Sequence, residues 1–318
     1  MAEIGYSLSS EEHGARDLVR LARRAEEAGF PFALISDHYH PWIDRQGQSP
    51  FVWGVIGGIA VGTERLRLGT GVTCPIGRIH PAVIAQAAAT AASMMPGRFF
   101  LGLGTGENLN EHILGEKWPQ PAVRLEMLEE AIHIIRRLWE GGFKSHRGEH
   151  FTVENARLYS LPEEPPPILV AGNGRKAAEL AARVADGFIG VAPDPDVVEA
   201  FATAGGEGLP RYGQVTVCWA ETEEQATKTA HEWWPNAGIK GELSVELPLP
   251  RHFEQAAEMV DEEDIAETLA CGPDPDLHLE HITRFIDAGY DHVYVHQVGP
   301  DQEGFFRFYE ESVLPKLG

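Results

Sequence analysis

The chain has 318 residues, 43% hydrophobic and 23% charged, which excludes a disordered or fibrous protein and suffices for one large barrel or two medium domains. Asp and Glu total 48 against 26 Lys and Arg, a net charge of −22 that disfavours nucleic-acid and anionic-membrane partners. Cys74, Cys218 and Cys271 form neither a disulfide framework nor a close-spaced zinc pattern. With no basic-then-apolar leader and no uncharged run near the roughly 20 residues of a membrane span, they predict a soluble cytoplasmic protein.

Hydrophobic period predicts strand and helix in alternation. Residues 4–8 read as a strand, 17–29 as a helix with Leu18, Leu21, Ala22 and Ala25 on one face, and 32–36 as a buried strand. An apolar helix over 51–61, a strand over 65–72, a proline-opened helix over 81–95 and a strand over 98–102 follow. Residues 124–139 are the clearest amphipathic helix, with Leu125, Leu128, Ile132, Ile135 and Leu138 at helical spacing. Residues 141–160 read as a hairpin-like insertion. Strands over 168–171, 187–191 and 214–220 come next, with helices over 175–184 and 223–234. The Pro-, Gly- and Glu-rich stretch 236–264 reads as an excursion; a helix over 276–288, a strand over 292–296 and a helix over 305–317 close the chain. Eight strand–helix repeats without a domain linker predict one closed (β/α)₈ barrel spanning 1–318, with an open doubly wound sheet as the alternative.

The active site of such a barrel lies at the carboxyl ends of its strands. There the sequence places Asp37-His38 with Trp42, Gly71-Val72, Thr105-Gly106-Glu107 and Gly172-Asn173-Gly174. An imidazole, carboxylates and glycine turns on one rim suit acid–base chemistry on a ligand held against backbone. Each has a plainer reading: Asp37 as a turn cap, His38 as a half-buried rim residue, Glu107 as a first-turn carboxylate offsetting a helix dipole. His38 and His40 lack a third metal ligand, so no metal is expected. The glycines at 102, 104 and 106 do not match the dinucleotide fingerprint. Gly172-Asn173-Gly174 ahead of Arg175-Lys176 is either an anion site or an ordinary turn with solvated basic residues.

Ser36-Asp37-His38-Tyr39-His40-Pro41-Trp42, Leu68-Gly69-Thr70-Gly71-Val72, residues 80–86 and Gly102-Leu103-Gly104-Thr105-Gly106-Glu107-Asn108-Leu109-Asn110-Glu111 occur in that order. Together they resemble the luciferase-like barrel superfamily, in the branch that uses the deazaflavin coenzyme F420 and includes the F420-dependent glucose-6-phosphate dehydrogenases. The resemblance implies a homodimer with the deazaflavin across the rim. Asp37 would contact the deazaflavin, His38 would stand over the substrate carbon as acid/base, Trp42 would wall the pocket, and Glu107 would lie near the ring. Gly71 and Val72 would back the ring on a bulge, often with a non-proline cis bond; Thr105, Gly106 and Asn110 would contact the cofactor; Asn173, Gly174 and Lys176 would hold its phosphate. Glu11 matches a carboxylate on the substrate side.

The sugar-phosphate enzymes of that branch grip phosphate with basic residues, whose matching positions here are Asp194, the stretch 244–246 and Thr268, none of them basic. Arg251 and Arg211 are the cations that could replace that grip by another route. The resulting reading is an F420-dependent oxidoreductase acting on a secondary alcohol, sugar or hemiacetal carbon, with preference for uncharged substrates. An FMN-dependent monooxygenase of the same superfamily and a non-catalytic F420-binding protein are the alternatives.

Overall fold

The computed structural model describes residues 2–239 and 241–317. Its strands, in chain order, are β1 (Glu3–Leu8), β2 (Phe32–Ile35), β3 (Arg67–Thr70), β4 (Phe99–Leu103), the hairpin pair β5 (Lys144–Arg147) and β6 (Thr152–Ala156), β7 (Ile168–Ala171), β8 (Gly187–Gly190), β9 (Arg211–Cys218), β10 (Ala270–Cys271) and β11 (His292–Gln297). The parallel order β9-β11-β1-β2-β3-β4-β7-β8 closes through β8–β9 pairing, an eight-stranded barrel ringed by helices, with β10 annexed to β9. The antiparallel β5–β6 pair is the hairpin expected within 141–160.

Short runs such as Phe-Ala-Leu-Ile in β2 are buried throughout because helices cover one face and barrel side chains the other. Phe32, Leu34, Phe100, Leu169, Ile189, Tyr212 and Tyr294 form a plug inside the barrel. A Cβ at Gly69 would lie 2.0 Å from the Phe100 ring, so glycine in β3 makes room for that plug. The helix Ala15–Glu27 buries the Leu18, Leu21, Ala22 and Ala25 face read from its period. Helices Pro81–Met94 and Pro121–Trp139 begin on proline, where the missing N–H costs nothing.

Most boundaries shift by a few residues, and two differences bear on the site. β9 begins at Arg211 rather than 214, because Gly213 tucks against Phe285 and Tyr290 and continues the strand despite its turn-like neighbours. The 236–264 excursion carries the short helices Leu243–Glu246 and Pro250–Ala257; Phe253 from the second is buried against Trp42, Ile43 and Leu109. The excursion therefore seals one side of the rim. No helix among the described residues is long and apolar enough to cross a membrane.

Candidate active site

Above the plug, at the carboxyl ends of the strands, is a cavity of about 760 Å³ with Ile189 and Tyr294 among its lining residues. It touches Glu11, His38, Trp42, Gly71, Val72, Thr105, Gly106, Glu107, Asn173, Gly174 and Lys176, so eleven positions read from sequence converge there. A second depression of similar volume lies outside the barrel near the helix Pro121–Trp139. Its two arginines are already paired, Arg136 with Asp186 and Arg183 with Glu129, and it is remote from the carboxyl ends of the strands.

The chemistry concentrates beyond β1 and β2. His38 Nδ1 lies 3.3 Å from Glu11 Oε1 and 3.3 Å from the His40 carbonyl oxygen. Glu11 Oε2 accepts hydrogen bonds from the Ser9 hydroxyl at 3.0 Å and the Ser36 hydroxyl at 2.7 Å. Burial alone would raise the Glu11 carboxyl pKa, but the His38 ring and the Ser36 hydroxyl outweigh it and hold the group below the ordinary carboxylate value. An ionised Glu11 orients the ring with its proton on Nδ1, leaving Nε2 as the acceptor. That Nε2 lies 4.0 Å from Glu107 Oε2. The Trp42 ring stands 4.9 Å from the imidazole and is braced behind by Phe253 at 5.1 Å.

Beyond β3 and β4 Thr105 and Glu107 reach the cavity, while the other polar groups there support the wall from behind. The Gly71–Val72 peptide is cis, as the resemblance implied. Gly106 has φ +68°, and a Cβ there would lie 2.5 Å from Cys74 Sγ, so the turn presenting Glu107 requires glycine. Asp37 is absent from the cavity lining, contrary to the contact expected for it: it is 3% exposed, with Oδ2 accepting from the Thr73 hydroxyl at 2.7 Å and Oδ1 from Arg78 Nη2 at 2.8 Å. Asn110 is likewise 1% exposed behind the wall. Its Oδ1 accepts from the Tyr39 and His40 amides and its Nδ2 donates to Glu107, tying the β2 loop to the catalytic carboxylate candidate. Arg78 also faces Glu111 Oε1 at 3.6 Å. Burial pushes the Glu111 carboxyl up to about 7, against the lowering influence of Arg78.

Beyond β7 the wall is backbone. Asn173 and Gly174 precede the ten-residue helix Arg175–Val184, whose N-terminus carries no side-chain cap. A Cβ at Gly174 would meet nothing within 4 Å, so glycine keeps these peptide groups reachable. Arg175 and Lys176 line the same edge and are exposed.

The expected substrate positions Asp194 and Thr268 are not at the cavity. Asp194 caps the helix Pro195–Phe201 by accepting from the Asp196 and Val197 amides, and Thr268 ends the helix Glu262–Thr268 with its hydroxyl on the Asp264 carbonyl. Both are consumed by helix termini, a local role that matching positions alone do not disclose. Arg211 pairs with Asp291 at the opposite end of β9, and Arg251 is exposed away from the lining, so neither restores a phosphate grip. Sequence reading missed Arg124, which lines the cavity, pairs with Glu246 at 3.0 Å and stacks 4.4 Å from the Trp118 ring. It also missed Arg78, Glu111, Trp234 and His296. For Arg124 the available signal was a charge at a helix's first turn, which by itself reads as solvated surface.

A sequence model of the luciferase-like monooxygenase family matches residues 1–292. The chain is 37% identical over 326 residues to an F420-dependent glucose-6-phosphate dehydrogenase of Microbacterium testaceum, covering 99% of this chain and 97% of the relative. It is 38% identical over 322 residues to an F420-dependent hydroxymycolic acid dehydrogenase of Mycobacterium tuberculosis, covering 99% and 88%. Among solved structures, an F420-dependent secondary alcohol dehydrogenase in complex with an F420-acetone adduct superposes with TM-score 0.91 at 28% identity, covering 98% of each chain.

Proposed function

This chain belongs to the luciferase-like monooxygenase family, and we propose that it is an F420-dependent oxidoreductase interconverting an uncharged alcohol, sugar or hemiacetal with its carbonyl. The observation that carries the reading is His38, clamped on Nδ1 by an ionised Glu11 and presenting Nε2 to a cavity beside Glu107.

The residues present suit a flat, anionic cofactor. Gly71–Val72 and Thr105–Gly106 offer a backbone wall, and the open edge at Gly174 exposes helix-terminal peptide groups beside Arg175 and Lys176 for its phosphate. When bound, the deazaflavin accepts or returns the hydride. His38 Nε2 takes the hydroxyl proton of the alcohol, or donates it in reverse, and the resulting imidazolium is stabilised by Glu11. Glu107, 31% exposed in the same wall, is the second group able to hold a proton there. Trp42 excludes water from one side and fixes the imidazole plane.

Charge narrows the substrate. Arg124 is already neutralised by Glu246, and Arg175 and Lys176 stand at the β7 edge assigned to the cofactor. A substrate phosphate would therefore lack the charge-assisted bonds that contribute roughly 1.5–3 kcal/mol each. Two tests follow: titration of the purified protein with F420 and FMN by fluorescence, and steady-state kinetics on 2-propanol, glucose and glucose 6-phosphate. Tighter binding of F420 and a higher kcat/KM for the uncharged compounds are expected. FMN binding equal to or tighter than F420 overturns the cofactor, and preference for glucose 6-phosphate overturns the substrate charge.

A further inference from the structure

Glu11 and Glu12 are consecutive residues just beyond β1, and β1 lies between β2 and β11 in the barrel. Their carboxylates diverge. Glu11 holds His38 beyond β2, whereas Glu12 Oε2 lies 3.0 Å from His296 Nε2 on β11 and Glu12 Oε1 accepts the Gly299 amide at 2.8 Å. One turn therefore orients two imidazoles, and the proposed chemistry uses only the first.

His296 is 2% exposed, yet it lines the cavity, as does Tyr294 two residues earlier on the same face of the strand. With Nε2–H donating to Glu12, the neutral ring leaves Nδ1 as an acceptor. That atom is buried and has no hydrogen-bond partner among the described residues. The Trp234 ring stands edge-on at 4.4 Å, closing the apolar side and also lining the cavity. A buried acceptor fixed in one tautomer by a carboxylate and left unpaired by the protein, on a ring that borders the cavity, is a hydrogen-bonding position open to a buried water or to a ligand group entering beside it.

We propose that His296 Nδ1 accepts a hydrogen bond from a second hydroxyl of the substrate, the one not undergoing oxidation, with Glu12 as its positioning residue. This rests on the alcohol-oxidoreductase reading and narrows its substrate class to carbon skeletons bearing at least two hydroxyls. A monohydric alcohol leaves Nδ1 unpaired and is disfavoured, because a site built to bond a hydroxyl discriminates against the analogue that lacks it.

The test compares cyclohexanol with trans-cyclohexane-1,2-diol on wild type, His296→Phe and Glu12→Gln, in the presence of F420. Wild type is expected to favour the diol by about tenfold or more in kcat/KM, chiefly through KM. His296→Phe should lose that preference while keeping cyclohexanol within about threefold; Glu12→Gln, which can still accept from Nε2–H, should retain most of it. A second readout needs no turnover: in protein with ¹⁵N-labelled histidine, the diol should shift the Nδ1 resonance missing from His296→Phe, and cyclohexanol should not. A diol preference that survives in His296→Phe, equal losses for both compounds, or an unmoved Nδ1 resonance at saturating diol overturns the proposal. Wild type that binds no F420 and oxidises neither compound defeats the underlying function instead, and the resonance shift still decides for or against His296 as the diol contact.

Discussion

The rim beyond β1 to β4 and the rim beyond β7 face one cavity but are built in opposite ways. On the first, side chains carry the proposed chemistry and nearly every polar atom is spoken for: His38 by Glu11, Glu11 by Ser9 and Ser36, Glu107 by Asn110, Asp37 by Thr73 and Arg78. On the second, Asn173, Gly174, Arg175 and Lys176 are exposed and the glycine leaves backbone open. A proton-transfer group needs a fixed position and tautomer, so it is embedded in buried support. A phosphate contact needs reachable N–H groups and tolerates solvent. One side should thus govern turnover and the other binding.

The largest effect should come from His38. His38→Ala is expected to lower kcat by about 10²–10⁴, the range for a general acid–base group, while F420 affinity stays within about threefold. Stopped-flow reduction of F420 and fluorescence titration on the same preparation check the split. A loss of affinity matching the loss of rate would erase the distinction between the two sides.

Next comes the hidden support of the first side. The side chains of Arg78, Asp37 and Glu111 are 7%, 1% and 2% exposed, so Arg78→Met strands two buried carboxylates and should destabilise by about 3–5 kcal/mol. Glu111 gives this a pH signature. Its folded-state pKa is raised to about 7 from 4.5, so its contribution is fully present below about 4.5 and is lost as pH rises through about 7. Removing the arginine that counters this shift should make the variant's deficit larger at pH 8 than at pH 5, because at pH 5 Glu111 takes up a proton. Urea unfolding at the two pH values measures it; a deficit independent of pH would mean that Glu111 does not feel Arg78.

These two expectations divide along what the sequence disclosed. His38, Trp42 and Glu107 were legible because they follow directly on strands whose apolar runs are unmistakable, and the strand end locates them on the rim. The glycine turn at 172–174 was legible for the same reason. Arg78 and Glu111 were not: they lie 33 residues apart and become partners only when the loops after β3 and β4 fold together. His296 was hidden inside its strand, where alternation assigns it a face but gives no sign that Glu12 will turn back to meet it. Asp194 and Thr268 misled in the other direction, since a position matched by resemblance can be spent locally: Asp194 caps the helix after β8, and Thr268 ends the helix that precedes β10.

The smallest expected effect tests the β7 side and separates its two ingredients. Arg175 and Lys176 are exposed, and in a chain of net charge −22 the surrounding field opposes an approaching anion. Their attraction is therefore modest and screened: the Debye length falls from about 10 Å at 0.1 M salt to about 3 Å at 1 M. The double variant Arg175→Ala, Lys176→Ala should weaken F420 binding by about tenfold at 50 mM KCl and by only about two- to threefold at 0.5 M, with kcat at saturating F420 unchanged. Gly174→Val acts differently. Its side chain projects into open space at the cavity edge and obstructs the peptide groups themselves, so its loss of affinity should be the same at both salt concentrations. Fluorescence titration of the three proteins across the salt range decides between charge and backbone. If the double variant's loss does not shrink with salt, the two basic side chains make fixed hydrogen bonds and the β7 rim is as preorganised as the rim opposite.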